Sequence, residues 1–410
     1  MAEGLAPLDS HAAPTPSVLA QIGVTTLGFL IIMADGYDLQ SIGFVAPEIA
    51  RARGLELSEF APVFAAGLFG TIPGAMAAGP ISRLLGERPT LILSLFVFGA
   101  GTLACALNLS VESLVGTRFI VGLGLGVAIP VTMSVIAART NVRARATIVT
   151  LALCGQPLGA IVGAALSSRL IPTYGWQAAF VVGGVLPLAL IVFVFLLPRA
   201  SNLSSDRSGA ERVRDLAAPS IAMTTLFLWS VSFINVLLLY VVVNWLPGIV
   251  QGAGYSLQQS LVVISLFNAG GIIGALSVAA LIDRFGVFRI VPGVFLLAAC
   301  LITSLSLALH DFSALELASF ASGVAAYGGG ASIGAMALML YPAKLRTTGV
   351  GWTLGVGRLG GALGPIGVTG LLSVGLAPGD LFYAAGALAA LASGLMLFFA
   401  SLRARHVVSP

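Results

Sequence analysis

Residues 30–44 read LIIMADGYDLQSIGF, a stretch in which Asp35 and Asp38 interrupt a run that is otherwise apolar from about residue 18 to residue 47. If this run is a helix, the two acids lie on one face, about one turn apart. A carboxylate surrounded by hydrocarbon is costly unless it faces water, pairs with a cation or takes up a proton. The stretch therefore predicts a membrane helix that carries a functional site.

The composition of the whole chain agrees with a membrane location. Of the 410 residues, 58% are hydrophobic and only 9% are charged, and the mean hydropathy is +1.03. These values lie far outside those of soluble globular proteins and predict a multi-span membrane protein. The net charge of +4 does not indicate a nucleic-acid partner, because the basic residues are scattered over short loops between the apolar runs.

The N-terminal residues and the few cysteines and histidines argue against several further classes of protein. Residues 1–16 contain no lysine or arginine, so we do not expect a cleaved signal peptide. The three cysteines lie in separate apolar segments and the three histidines are scattered, which indicates neither disulfides nor a metal site. We expect no bound cofactor, and the absence of a catalytic His/Glu/Cys cluster or a soluble signalling domain argues against an enzyme or a sensor.

The apolar runs divide into segments of roughly 20 residues or more, the length that crosses a bilayer as a helix. They are too long and too uniform for the strands of a barrel, so an all-α protein is predicted. The twelve predicted spans are 19–46, 59–80, 89–108, 112–137, 145–170, 176–197, 219–247, 258–281, 287–309, 313–340, 347–373 and 379–402.

The basic residues predict the orientation in the membrane. With a cytoplasmic N-terminus, fifteen of the twenty lysines and arginines fall on the cytoplasmic side and three, Arg51, Arg53 and Arg169, on the outer side. This asymmetry predicts a multi-pass protein of the cell (inner) membrane with both termini in the cytoplasm. The other two basic residues, Arg118 and Arg358, lie within predicted spans, as do the two aspartates.

The chain also shows a weak internal repeat at an offset of 200 residues, with Pro47 matching Pro247, Gly70 matching Gly270 and Gly86 matching Gly286. A polar segment separates the two halves. The predicted organisation is a cytoplasmic tail (1–18), a six-helix bundle (19–197), a cytoplasmic connector (198–218), a second six-helix bundle (219–402) and a cytoplasmic C-terminal tail (403–410). Two such halves with charged groups near the midplane are the layout of a rocking-bundle transporter.

Asp35-Gly36-Tyr37-Asp38 forms an acid-glycine-aromatic-acid motif, and Arg358 lies in a glycine-rich setting. On these features the chain resembles the major facilitator superfamily and, within it, the aromatic acid/proton symporter family. Further matching motifs are Arg118-Phe119 before Gly122, Gly124 and Gly126; Cys154-Gly155; Asp283-Arg284-Phe285-Gly286; Tyr341-Pro342; and Thr348-Gly349-Val350-Gly351-Trp352. The resemblance implies twelve transmembrane helices in two pseudo-symmetric bundles and an alternating-access symporter that uses protons as the coupling ion.

The loop after the second span departs from the superfamily pattern. Members usually carry an acid where this chain has Arg83 and a base where it has Glu87, so the signs are reversed. The resemblance assigns this loop to closing the cytoplasmic side. The predicted gating residues are Arg83, Glu87, Asp283, Arg284 and Arg346.

Asp35, Asp38 and Arg118 are the predicted proton-coupling residues. Burial and a neighbouring acid favour the protonated form of a carboxyl group, whereas a nearby arginine favours the ionised form. Movement of the arginine would therefore change the affinity of the acid for a proton. Two plainer interpretations remain open: a permanent structural ion pair, and for Arg118 a side chain that reaches the outer headgroups.

Arg358 is the predicted anchor of a substrate carboxylate, because a guanidinium binds a carboxylate through two parallel hydrogen bonds. Its plainer interpretation is a static pair with an aspartate. Polar and aromatic residues at similar depth would line the cavity, although each alone is also explained by packing or interhelical hydrogen bonds. They are Tyr37, Gln156, Tyr240, Asn244, Asn268, Tyr327 and Trp352.

The resulting hypothesis is proton-coupled uptake of a small aromatic carboxylate such as a hydroxybenzoate, by a monomer in the lipid bilayer. The alternative is a proton-coupled transporter of an aliphatic organic anion, or efflux of an amphipathic compound. The sequence does not discriminate between these cargoes.

Overall fold

Within the residues that the structure describes, twelve long helices follow one another and no strand occurs. The computed structural model describes residues 18–107, 110–139, 148, 151–196, 213–342 and 345–408. The predicted all-α fold is confirmed. The helices are α1 (Val18–Arg53), α2 (Ala61–Leu85), α3 (Glu87–Ala106), α4 (Val111–Ala138), α5 (Gly155–Tyr174), α6 (Gln177–Phe195), α7 (Ala222–Gly252), α8 (Leu257–Phe285), α9 (Val287–Leu307), α10 (Phe312–Leu340), α11 (Arg346–Ser373) and α12 (Leu381–Val408).

Eleven helices in the described part of the chain are long and apolar enough to cross a membrane. The helix outside that set is α11, whose 28 residues span about 42 Å. Nine of those residues are glycine, which contributes little hydropathy but lets helix backbones approach closely. The chain is therefore a multi-pass membrane protein in which α11 takes the place of the predicted eleventh span.

Several helices extend beyond the limits of the predicted spans, the first and the fifth among them. The first helix continues through Pro47 to Arg53, where Gly54 has a φ of +66° and ends it. Arg51 and Arg53 thus belong to the last turn of α1 and not to a loop. The fifth membrane segment covers Leu151–Tyr174 and ends at Gly175 with a φ of +81°, a few residues beyond the predicted end at 170. Residues 140–147 and the greater part of the predicted connector, 197–212, lie outside the described residues.

The helix packing repeats between the two halves. Within the first half, α1 packs on α5, α2 on α4 and α3 on α6; within the second, α7 packs on α11, α8 on α10 and α9 on α12. Adding six to the helix numbers of each pair in the first half gives a pair in the second half. The fold is therefore two pseudo-symmetric six-helix bundles, as predicted.

Glycines at an offset of 200 residues show the same repeat in the backbone. Glycines with positive φ occur at residues 54, 86 and 175 and again at 254, 286 and 375. Each of them directly follows a helix or is separated from its end by one residue. We call the end of the molecule at which α1, α5, α7 and α11 finish the Gly54 end, and the opposite end, where α2 and α8 finish, the Gly86 end.

The two bundles meet along three helix pairs: α2 with α11, α5 with α8, and α1 with α7. Side-chain contacts join them at the Gly54 end. Arg51 at the end of α1 donates to the Gln251 carboxamide at 3.0 Å, and the Thr369 hydroxyl donates to the Ser58 carbonyl at 3.4 Å. The wide contact between bundles leaves the polar residues of α1 enclosed near the centre of the molecule.

Candidate functional site

Asp38 and Arg118 form a buried salt bridge inside the first bundle. The Arg118 Nη1 atom lies 2.8 Å from Asp38 Oδ1, and the two side chains are 3% and 0% exposed. The Thr102 hydroxyl of α3 donates to the same carboxylate oxygen at 3.1 Å, and Arg118 Nη2 donates to the Asp38 carbonyl at 3.4 Å. Three helices, α1, α3 and α4, therefore converge on one carboxylate.

This ion pair is incompletely satisfied within the described residues. Asp38 Oδ2 and Arg118 Nε are buried and have no hydrogen-bond partner there. Taking two charges out of water is costly, and their attraction compensates for it only when the remaining polar atoms are also bonded.

Asp35 lies one turn earlier on α1 in a different environment. Its Oδ2 atom accepts a hydrogen bond from Gln156 of α5 at 2.9 Å, and its residue is 6% exposed. It interacts electrostatically with Asp38, Arg118 and Arg358. Asp35 therefore lies within electrostatic range of both the buried pair in the first bundle and the arginine of the second.

A glycine determines how close α5 comes to Asp35. A Cβ atom at Gly36 would collide with the Gln156 carbonyl oxygen, and one at Gly159 would collide with the Met33 carbonyl oxygen. Because neither residue has a side chain, the two backbones touch and the Gln156 amide reaches the carboxylate.

Arg358 is partly buried on α11 and faces this site. It interacts electrostatically with Asp35 and with the Tyr240 hydroxyl. In the part of the chain that the structure describes, no carboxylate lies within 4.0 Å of its guanidinium. Within the described residues the geometry thus differs from a static ion pair between Arg358 and an aspartate.

A small cavity lies between the two bundles beside these groups. Its volume is about 30 Å³, well below the roughly 300–1,000 Å³ of ligand pockets. An aromatic ligand therefore requires the bundles to separate further. The cavity is lined by Gly36, Leu39, Gln40, Gln156, Leu239, Tyr240, Val243 and Tyr327.

Three of the predicted substrate residues, Gln156, Tyr240 and Tyr327, line this cavity, and Asn268 lies directly behind it. The Tyr327 hydroxyl donates to Asn268 Oδ1 at 2.9 Å. The structure thus brings residues from α5, α7, α8 and α10 to one place between the bundles.

The other predicted substrate residues lie elsewhere. The Tyr37 hydroxyl donates to the Ala179 carbonyl at 2.7 Å, and its ring packs between α5 and α6. Asn244 is buried where α7 contacts Gly43 of α1. Trp352 is 43% exposed and stacks on Trp229, with ring centroids 5.9 Å apart. For these three, packing accounts for the observed contacts.

The predicted gating residues divide into a paired and an exposed set. Glu87, the acid with reversed sign, lies 3.7 Å from Arg139 of the same bundle and accepts a hydrogen bond from Ser134 at 2.9 Å. Arg83, Asp283 and Arg284 are exposed at the Gly86 end. The side chain of Arg346 lies outside the described residues. Glu87 thus binds α4 within its own bundle, and no described contact joins it to the second bundle.

Sequence reasoning missed Gln40 and Thr102. Gln40 lines the cavity and exchanges two hydrogen bonds with Asn268 of the other bundle. A carboxamide two residues after Asp38 in an apolar helix is the signal that would have identified it. Thr102 carries no such signal, because threonines in apolar helices usually bond their own backbone.

A larger cavity lies away from these groups at the Gly54 end. It has a volume of about 500 Å³ and is lined mainly by apolar residues, among them Leu57, Trp245 and Leu372. It contains none of the predicted site residues. The charges and hydrogen bonds, and not the size of the cavity, therefore indicate the site.

Comparison with known proteins agrees with this architecture. The Major Facilitator Superfamily model matches residues 28–365. The chain is also 32% identical to a 4-hydroxybenzoate transporter of Pseudomonas aeruginosa, over 86% of each chain. It belongs to the major facilitator superfamily, in the family of the aromatic acid transporters.

One further relative and one solved structure are similar to this superfamily member. It is 34% identical to a 3-(3-hydroxy-phenyl)propionate transporter of Escherichia coli, over 96% of this chain and 98% of the relative. The crystal structure of a D-xylose-proton symporter superposes with a TM-score of 0.74 at 17% identity, over 93% of this chain and 97% of the other, which shows the shared fold. The superfamily assignment confirms the prediction of a transporter and not an enzyme.

Proposed function

We propose that this protein imports small aromatic carboxylates together with protons across the cell (inner) membrane, with both termini in the cytoplasm. The observation that carries the proposal is the buried Asp38–Arg118 pair, which Asp35 connects to an arginine without a carboxylate partner in the described part of the other bundle. Relatives named for 4-hydroxybenzoate and 3-(3-hydroxy-phenyl)propionate support an aromatic carboxylate as the cargo.

The proton would enter at the first-helix acids. Asp38 has one buried oxygen without a hydrogen-bond partner among the described residues, and the other oxygen contacts Arg118. Protonation of Asp38 removes the charge that holds the Arg118 guanidinium. Asp35, next to the cavity, transmits this change in charge towards Arg358. The coupling ion is the proton, and no cofactor takes part.

The substrate carboxylate would bind Arg358. A guanidinium accommodates a carboxylate by two parallel hydrogen bonds, which a lysine does not reproduce. Tyr240 lies near both Arg358 and Asp35 and supplies a hydroxyl group at the same place. Rocking of the two bundles then exposes the site to the cytoplasm, where proton and substrate leave.

Replacement of Asp38 by asparagine tests the coupling. In proteoliposomes with an imposed pH gradient, Asp38→Asn should abolish accumulation of a hydroxybenzoate against its concentration gradient. Exchange of labelled for unlabelled substrate without a pH gradient should persist, because it needs binding and rocking but no net proton transfer. Normal uphill accumulation by this variant would refute the proposal, and the exchange assay shows that the variant is folded.

A further inference from the structure

Gln40, Asn268 and Tyr327 form a hydrogen-bonded group that we call the amide cluster. Gln40 lies on α1 and is 5% exposed, and Asn268 lies on α8 and is fully buried. The Gln40 Nε2 atom donates to Asn268 Oδ1 at 2.8 Å, and Asn268 Nδ2 donates back to Gln40 Oε1 at 3.0 Å. Two of its members, Gln40 and Tyr327, line the cavity between the bundles.

A backbone carbonyl determines which way the Asn268 amide points. Asn268 Nδ2 also donates to the Ile264 carbonyl at 2.8 Å. The flipped amide would put Oδ1 against that carbonyl, two acceptors facing each other. Nδ2 therefore faces Ile264, and Oδ1 faces Gln40 and Tyr327.

This orientation determines where the Tyr327 hydroxyl and the Gln40 amide, which both line the cavity, direct a proton. Asn268 Oδ1 accepts from Gln40 and from the Tyr327 hydroxyl, at 2.8 and 2.9 Å. Both Nδ2 protons and both Oδ1 lone pairs of Asn268 are then in use. Asn268 itself has no capacity left for a ligand and acts as a positioning residue.

The Tyr327 hydroxyl has a single proton and gives it to Asn268, so towards the cavity its oxygen is only an acceptor. Gln40, which lines the same cavity, keeps a second Nε2 proton and a second Oε1 lone pair. The residues that line the cavity thus offer acceptors, at the Tyr327 and Gln40 oxygens, and one donor, at Gln40 Nε2. A hydroxyl group, which donates one hydrogen bond and accepts others, complements this set of groups, whereas a carboxylate, which only accepts, meets the Tyr327 oxygen unfavourably.

We infer that the amide cluster recognises a ring hydroxyl group of the substrate and that the protein selects hydroxylated over unsubstituted aromatic acids. The inference rests on the proposed function, because it assumes that the ligand carboxylate binds Arg358. The ligand would then lie with its carboxylate towards α11 and its hydroxyl towards Gln40 and Tyr327. Selection follows because a site built to bond a hydroxyl group leaves polar atoms unpaired when that group is missing.

The unmodified protein provides the first test. Affinities of the purified full-length chain would be measured by calorimetry for benzoate, for the three monohydroxybenzoates and for the methoxy counterpart of the isomer that binds most tightly. That isomer should bind about three- to tenfold more tightly than benzoate. It should also bind more tightly than its methoxy counterpart, which has no hydroxyl proton to donate to Tyr327. Equal affinities for benzoate, the preferred hydroxybenzoate and its methoxy counterpart would overturn the inference.

Tyr327→Phe provides the second test. The variant should lose most of the preference for the hydroxybenzoate over benzoate, because the acceptor oxygen of Tyr327 is gone while Gln40 remains. Tyr383→Phe is the matched control: Tyr383 is 41% exposed on α12, and the same change there should leave both affinities unaltered. An equal loss for both ligands in Tyr327→Phe would reduce the role of Tyr327 to packing and would also overturn the inference.

The two proposals fail in different ways. If the unmodified protein binds benzoate but shows no preference for a hydroxyl group, the inference is wrong and the proposed function stands. If it binds no aromatic carboxylate, the proposed function is wrong, and the inference fails with it.

Discussion

Asp35 and Asp38 are separated by one helical turn, yet their surroundings differ in kind. Asp38 is closed off inside the first bundle by Arg118 and Thr102, whereas Asp35 bonds Gln156 beside the cavity. One acid therefore belongs to a charge pair within a bundle and the other to the boundary between the bundles. Under the proposed function the two acids would have separate parts in coupling: Asp38 in the charge pair with Arg118, and Asp35 at the boundary that faces the second bundle.

Replacing one member of the buried Asp38–Arg118 pair should lower the stability of the fold. Arg118→Leu leaves the Asp38 carboxylate without a cation, and removing one partner of a buried ion pair typically destabilises by about 3–5 kcal/mol. The double variant Asp38→Asn/Arg118→Leu removes the stranded charge and should recover a large part of that loss. Thermal unfolding of the purified variants in detergent measures both effects. A single variant as stable as the double variant would mean that the Asp38 charge is relieved without Arg118, by protonation or by water.

At the scale of the helix, small residues bring backbones together and so place the side chains beside them. Gly36 and Gly159 allow α1 and α5 to touch, which positions Gln156 on Asp35. The same arrangement recurs between α2 and α4, where a Cβ at Gly70 would meet the Phe119 carbonyl, and between α8 and α10, where one at Gly270 would meet the Phe320 carbonyl. The packing of the bundles therefore depends on glycine where soluble helices use interlocking side chains.

Gly36→Ala should separate α1 from α5. The new methyl group would collide with the Gln156 carbonyl, which belongs to the backbone and cannot rotate away. We expect lower thermal stability and a substantial loss of substrate uptake, since Gln156 moves off Asp35. Gly23→Ala, on the same helix with no atom within 4 Å of the new methyl group, is the control. It should be neutral or slightly stabilising, by up to about 1 kcal/mol. Similar behaviour of the two variants would contradict the role given to the close contact.

At the scale of the whole molecule, the bundles are joined at the Gly54 end. The Leu57 side chain, between α1 and α2, packs directly over Gly248 of α7, beside the bonds from Arg51 to Gln251 and from Thr369 to Ser58. These contacts hold the two bundles together at the Gly54 end, which is closed in this structure.

A side chain at residue 248 should shift the molecule away from this closed state. Gly248→Val competes with Leu57 for the same space, so the ends of α1 and α7 should move apart. Spin labels at Ala52 and Ala253, in a background without the three native cysteines, would report the distance by double electron–electron resonance. Gly252→Val on the same helix, where a Cβ meets no atom within 4 Å, should leave the distance distribution unchanged. An unchanged distribution in Gly248→Val would show that the Leu57 contact does not hold the end closed.

The amino-acid sequence by itself determined the membrane class, the number of long helices, the repeat and the charged residues Asp35, Asp38, Arg118 and Arg358. These follow from local properties, because a span is set by the length of its apolar run, and a charge within such a run is conspicuous whatever surrounds it. The repeat is likewise visible in one dimension, as Pro47, Gly70 and Gly86 each have a counterpart 200 residues later.

Only the tertiary structure decided which of these groups meet. Arg118 pairs with Asp38 and not with Asp35, Tyr37 points into its own bundle, and Gln40 meets Asn268 across the two bundles. These contacts depend on the rotation and closeness of helices that are far apart in sequence. Those quantities are set by small-residue contacts such as Gly36 on Gln156. The physical reason is that a helix presents every face to some neighbour, and the hydropathy of the chain does not say which neighbour each face receives.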